Sequence, residues 1–159
     1  MSNTDSGIKG GGSSSFIYST PRPFNAEKLE VFIDEIRDWE SIHHSEGFFW
    51  VGNDHRIAYQ WNHSKEKVTF AILGVWIASV AESKWARSDE HSLDHGIDWD
   101  PVFGDREQRI EFFGESMDEE KIRAGLDSCL LNEIEGKNCI QSIGNLPDFF
   151  SPLILKCDF

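Results

Sequence analysis

Two alternating runs constrain this chain more than any other feature. In RIAYQWN, residues 56–62, Ile57, Tyr59 and Trp61 alternate with Ala58 and Gln60. In KVTFAIL, residues 67–73, Val68, Phe70 and Ile72 alternate with Thr69 and Ala71. A period of two marks strands with one buried face. The residues Asn62, His63, Ser64 and Lys65 between the runs read as a turn. A third run, GFFWVG at 47–52, precedes them, with Gly52, Asn53 and Asp54 as its turn. The three together predict an antiparallel meander.

Helical spacing appears on either side of it. After the short run SFIYST, residues 15–20, Asn25 can cap a helix whose apolar stripe is Leu29, Phe32, Ile33, Ile36 and Trp39. Phe24 and Leu29 occupy its two staple positions. EQRIEFFG, residues 107–114, reads as a further strand, and Asp118 caps DEEKIRAGLDSCLL, with Ile122, Leu126, Cys129 and Leu130 as the buried stripe and Met117 and Ile122 as the staple. Residues 81–105 are polar and loop-like, and the chain after Gly136 is weakly patterned. Helices with one apolar face and alternating strands predict an α+β, two-layer sandwich, an antiparallel sheet of four to five strands with two helices on one face. Residues 1–14, Gly- and Ser-rich without periodicity, are expected as a flexible tail or linker, leaving 15–159 as a single domain.

Charge and cysteine content exclude several classes of function. The net charge of −13, with no clustered Lys/Arg run, argues against nucleic-acid binding. No apolar stretch is long enough to span a bilayer, and residues 1–15 lack the apolar core of a signal peptide. Cys129, Cys139 and Cys157 form no CxxC pair and are expected as reduced thiols in a cytoplasmic protein. No GxxxxGK[ST] loop, GxSxG elbow or HExxH is present, and no GxGxxG follows a strand. The chain is therefore expected not to be an enzyme and to have no catalytic residues.

Two places carry metal-ligand chemistry. His91 and His95 are four apart in DEHSLDHGID, with Asp89, Asp94 and Asp98 as nearby oxygen donors; a solvated loop is the plainer reading, since Gly96 would stop a helix there. In SIHHSEGFFW, residues 41–50, extending the strand backwards places His44, Glu46, Phe48 and Trp50 on one face and His43, Ser45, Phe49 and Val51 on the other. His44 and Glu46 then converge, but two ligands are too few for a structural zinc, and His55, His63 or a loop acid would have to complete the set.

Three blocks resemble one family. SFIYSTPRPFNAEKL is similar to the opening of the CobW C-terminal domain, SEGFFWVG to its Ser-Lys-Gly-Phe-Phe-Trp strand, and GDREQRIEFFGESMDEEKIRAGLDSCLL to its Gly-Asp-Arg-x-Gln strand, Met-Asp helix start and Leu-Asp-x-Cys-Leu-Leu helix end. The resemblance runs from about Ser15 to Leu131. It implies the C-terminal part of a GTP-dependent metal chaperone, a family linked to zinc homeostasis, cobalt insertion in cobalamin biosynthesis and metalloenzyme activation. In that family GTP hydrolysis and the main metal site belong to a separate P-loop domain, so neither carries over here. Two departures stand out. His44-Ser45-Glu46 replaces the Arg-Ser-Lys of many relatives, and Asn25 replaces an expected His.

The resemblance implies a non-enzymatic binding or regulatory module whose partner is a CobW-type GTPase or a client metalloprotein; the charge change at His44 and Glu46, a departure from that family, makes this pair the expected partner surface. One alternative is a protein that itself buffers or delivers a divalent metal, zinc being the candidate, through His44, Glu46, His91 or His95. A further alternative is a truncated remnant of a longer CobW-type GTPase.

Overall fold

The computed structural model describes residues 13–37, 39–64, 67–79 and 99–141. Five strands form one sheet: β1 (Ser13–Thr20), β2 (Ile42–Phe49), β3 (Ile57–Ser64), β4 (Lys67–Val75) and β5 (Gln108–Glu115), in the order β1-β5-β2-β3-β4 with every pairing antiparallel. The expected hairpin is present, but β3 runs to Ser64, so Asn62 and His63 belong to the strand, not to a turn. His63 continues the parity of Tyr59 and Trp61 and is buried with them. β1 begins at Ser13, two residues before the expected start, because Ser13 and Ser14 still find partners in Glu115 and Gly114.

Helices α1 (Ala26–Ile36) and α2 (Glu119–Ser128) bury their apolar stripes on one sheet face. Asn25 caps α1 by accepting from the Lys28 N–H at 3.0 Å, and Asp118 caps α2 by accepting from Lys121 N–H at 3.1 Å. The core joins Leu29, Phe32, Ile33 and Ile36 of α1 and Ile122 and Leu126 of α2 to the inward residues of all five strands. Cys129 lies in it, and burial pushes its thiol up to about 11. Trp39 lies beyond the end of α1, yet its ring meets Phe32 edge-on at 5.8 Å.

A third helix, α3 (Glu133–Gln141), stands where no periodic pattern was expected. Asn132 and Glu135 form a reciprocal capping box, each side chain accepting from the other's backbone N–H at 2.8 and 3.1 Å. The helix packs beside the 3₁₀ turn Gly52–Asp54, and buried Gly136 lets it approach Pro23 and Phe103 closely. Cys139 against Gly52 and half-buried Ile140 near Trp50, Trp76 and Phe103 complete the contact, a stripe too short to announce a helix, and Ile134 is exposed.

Two irregularities alter the expected alternation. Ile42 pairs with Gly114 but His44 pairs with Phe113, so His43 is a bulge residue. Ala58 pairs with Gly74 and Tyr59 with Ile72, which leaves Leu73 as an extra residue on β4. Ile72, expected to share the buried face of Val68 and Phe70, is 67% exposed on this edge strand.

Candidate functional site

Strand β2 has two unlike ends. At its C-terminal end the chain leaves the sheet at Phe49, and Trp50 is fully buried in a second cluster with Ala58, Trp76 and Phe103. The residues Gly104 to Gln108 build the surroundings of that indole. Gly104 sits at φ +72°, a conformation that costs glycine little, and closes a turn with Asp100. The Asp105 carboxylate accepts from the backbone N–H groups of Ile77 and Ala78, both at 2.9 Å. The buried Arg106 guanidinium lies over the Trp50 ring at 5.4 Å and donates to the carbonyls of His55 (2.7 Å) and Phe103 (3.0 Å). Fully buried Gln108 accepts from Trp50 N–H at 2.7 Å and donates to the carbonyls of Trp50 and Arg22. Burial, reinforced by Arg106, holds His55 below its ordinary range. The polar groups here are committed to backbone partners, so this end has architecture and no free chemistry.

The N-terminal end of β2 is different. Its inward residue Ser45 is buried, accepts from Trp61 Nε1 at 2.8 Å and lies 3.2 Å from His63 Nδ1. This pair resembles a nucleophile and base, but both side chains are enclosed beneath the helical layer, so no substrate reaches them. The outward residues His44, Glu46 and Phe48 lie on the opposite sheet face. Among the described residues that face is covered at its Phe48 end, by Trp76 at 6.0 Å and the second cluster that also takes Ile140 of α3, and is open around His44 and Glu46.

Register arranges this face in rows across the sheet. One row reads Ile17, Glu111, Glu46, Asn62, Thr69 from β1 to β4. The next reads Ser19, Arg109, Phe48, Gln60, Ala71. Between Ile17, Phe48 and Leu73 lies an open groove of about 340 Å³ with Glu46 and Glu111 in its wall. A neighbouring cleft of about 410 Å³ runs from His44 past Asn62 to Lys67.

The expected pairing of His44 and Glu46 on one face is present: His44 Nε2 lies 4.0 Å from Glu46 Oε1. His44 also stacks on Phe113 with ring centroids 4.2 Å apart. His43 was expected to share the face of Ser45, but Ser45 is buried while the bulge leaves His43 exposed and Ile42 buried in its place. Trp50, expected to share the face of His44, lies past the strand end inside the second cluster. His55 and His63 do not join His44: His55 belongs to the Arg106 network and His63 to the core. Among the described residues no group of three or more His, Cys, Asp or Glu could hold a metal ion. His91 and His95 lie outside the described residues. Sequence reasoning did not find Glu111, although an outward glutamate on the strand beside β2 follows once β5 is placed there.

Comparison with known proteins agrees with this geometry. The family model "Cobalamin synthesis protein cobW C-terminal domain" matches residues 13–130. The chain is 31% identical over 128 residues to the zinc-regulated GTPase metalloprotein activator 1 of Dictyostelium discoideum, covering 78% of this chain and 26% of that protein. Its fold is similar to the crystal structure of the Zn(II)-bound YjiA GTPase from E. coli, with TM-score 0.53 and 12% identity over 75% of this chain and 30% of that one. The chain thus spans about a quarter of the length of the curated relative it matches. With the caps of α1 and α2, the Gly104–Gln108 segment and the five-stranded order all inside the matched range, the chain belongs to the CobW C-terminal domain family.

Proposed function

We propose that this chain is a non-enzymatic binding module of CobW-type metal chaperones. It acts in metal homeostasis or metallocentre assembly, with zinc or cobalt as the metal handled by its partners. Those partners are a CobW-type GTPase or a client metalloprotein, met in the cytoplasm. The observation that carries the reading is the open part of the five-stranded face, where Ile17, Glu46, Leu73 and Glu111 line a solvent-facing groove. The metal-handling part rests on the family and on the relative named as a zinc-regulated metalloprotein activator. The test is affinity capture from native cytosol with identification of what is retained. The expected result is a P-loop GTPase of this family or a zinc- or cobalt-dependent enzyme; recovery of only proteins outside metal handling overturns the reading.

The 4.0 Å approach of His44 to Glu46 favours a second reading, in which the chain itself buffers zinc. Calorimetric titration with zinc decides it. The second reading requires binding tighter than roughly micromolar, about −8 kcal/mol, and weaker binding removes it.

A further inference from the structure

The row through Ile17, Glu111, Glu46, Asn62 and Thr69 contains a conflict. Glu46 and Glu111 are directly opposite one another on adjacent antiparallel strands and both point away from the helical layer. Such neighbours have Cβ atoms about 4.5–5.5 Å apart, and like charges so placed destabilise a sheet. Among the described residues Glu111 makes no ion pair, and the nearest basic side chain to Glu46 is that of His44, at 4.0 Å. Arg109 lies on the same face but pairs across the strands with Phe48 and makes no ion pair among the described residues. The carboxylates are flanked by Ile17, 40% exposed, half-buried Phe48, and Leu73, 55% exposed. A local rule broken on an otherwise consistent surface points to function.

We propose that this face docks a protein segment that sets a Lys or Arg side chain over the Glu46–Glu111 pair and aliphatic side chains against Ile17, Phe48 and Leu73. This rests on the binding-module reading and specifies the chemistry of the partner. An arriving cation converts a repulsive pair into a shared acceptor for a charge-assisted contact. The apolar flanks supply the burial that a bare ion pair lacks. The net charge of −13 steers a basic segment toward the domain. A divalent cation is the rival occupant, disfavoured because no three-ligand group exists among the described residues.

The test uses the full chain labelled with ¹⁵N, in EDTA, titrated with acetyl-Leu-Arg-Leu-Arg-Leu-amide and with its charge-reversed counterpart acetyl-Leu-Glu-Leu-Glu-Leu-amide. The basic peptide is expected to shift the amides of Ile17, Glu46, Asn62 and Glu111, and the acidic one to leave them in place. Raising salt from about 20 to about 300 mM is expected to weaken binding severalfold. Glu46→Lys is expected to weaken it by about tenfold or more while raising Tm by about 2 °C, because Lys then faces Glu111; Glu46→Gln, which reverses no charge, is expected to give a smaller loss. Equal response to both peptides, no response to either, shifts confined to the Trp50 end, or unchanged affinity in Glu46→Lys overturns the proposal. A response restored only when a divalent metal replaces EDTA also overturns it, in favour of a cation site. Capture from cytosol separates this from the broader reading. If wild type and Glu46→Lys retain the same metal-handling partner equally, the module reading stands and the basic-segment proposal falls; if neither retains one, the module reading itself falls.

Discussion

The two ends of strand β2 obey opposite rules. Around Trp50, Gln108 and Arg106 satisfy backbone carbonyls and N–H groups from three separate segments, and the indole is enclosed. Around Glu46, a carboxylate faces another carboxylate across the strands and solvent on its outer side. The same eight-residue strand thus carries an architectural end and an unsatisfied one. The blocks that resemble the family, GFFWVG and GDREQ, supply the first. The departure from the family pattern, Glu46 in place of a basic residue, sits in the second. Family resemblance in this chain therefore reports on fold, and the surface we propose for binding lies where the pattern is broken.

Substitutions at the two ends should differ in sign as well as size. Gln108→Ala takes the partner from Trp50 N–H and from the Arg22 carbonyl in the interior, while the Trp50 carbonyl keeps only Phe24 N–H at 3.2 Å, and is expected to cost roughly 3 kcal/mol in urea unfolding. Arg106→Met removes the guanidinium from the Trp50 ring and from the His55 carbonyl, and leaves the Phe103 carbonyl only the backbone N–H of residue 106 at 3.4 Å. Its expected cost is about 2–3 kcal/mol, measured in the same way. A Gly47→Ala methyl would land on the Arg109 carbonyl where β2 and β5 meet, and an overpacking cost of about 1–3 kcal/mol is expected, with amide exchange rising first in β2 and β5.

Acid should act through the Trp50 end. His55 is half-buried, with its folded pKa lowered below the usual 6.5 by desolvation and then by Arg106. Its contribution to stability is present above pH 6.5 and falls as pH drops through the lowered folded value, because the unfolded state takes up the proton first. Thermal melts between pH 7 and 5 should show this loss, and His55→Gln should flatten it. The smallest effect, and the only favourable one, belongs to the open end. Glu46→Lys is expected to stabilise by about 0.2–1 kcal/mol, read as a higher urea midpoint at unchanged slope. A destabilised Glu46→Lys would erase the contrast between the ends.

Much of the fold was legible because its signals are local. Asn25 and Asp118 announce their helices, and Tyr59, Trp61, Val68 and Phe70 announce the paired strands. What escaped depends on pairing or close approach. The bulge at His43 exists only relative to Gly114 and Phe113, and no property of HHSE predicts it. His63 read as a turn residue because its polarity outweighed the parity it shares with Trp61. Helix α3 packs through Gly136, Cys139 and Ile140, too few apolar positions to announce a helix, although its Asn132–Glu135 box was visible in the sequence. The pairing of His44 with Glu46 followed from alternation alone, whereas Glu111 could be found only with strand order in hand.

The central claim is that this domain works through the open part of the sheet face while the Trp50 end is structural. Hydrogen–deuterium exchange of the full chain, alone and bound to the partner captured from cytosol, tests it most directly. The account predicts new protection in β1, β2 and β5 around Ile17, Glu46 and Glu111, with no change in α1, α2 or residues 103–108. Protection confined to α3, residues 103–108 or the helical layer, with the open face still exchanging freely, would contradict it.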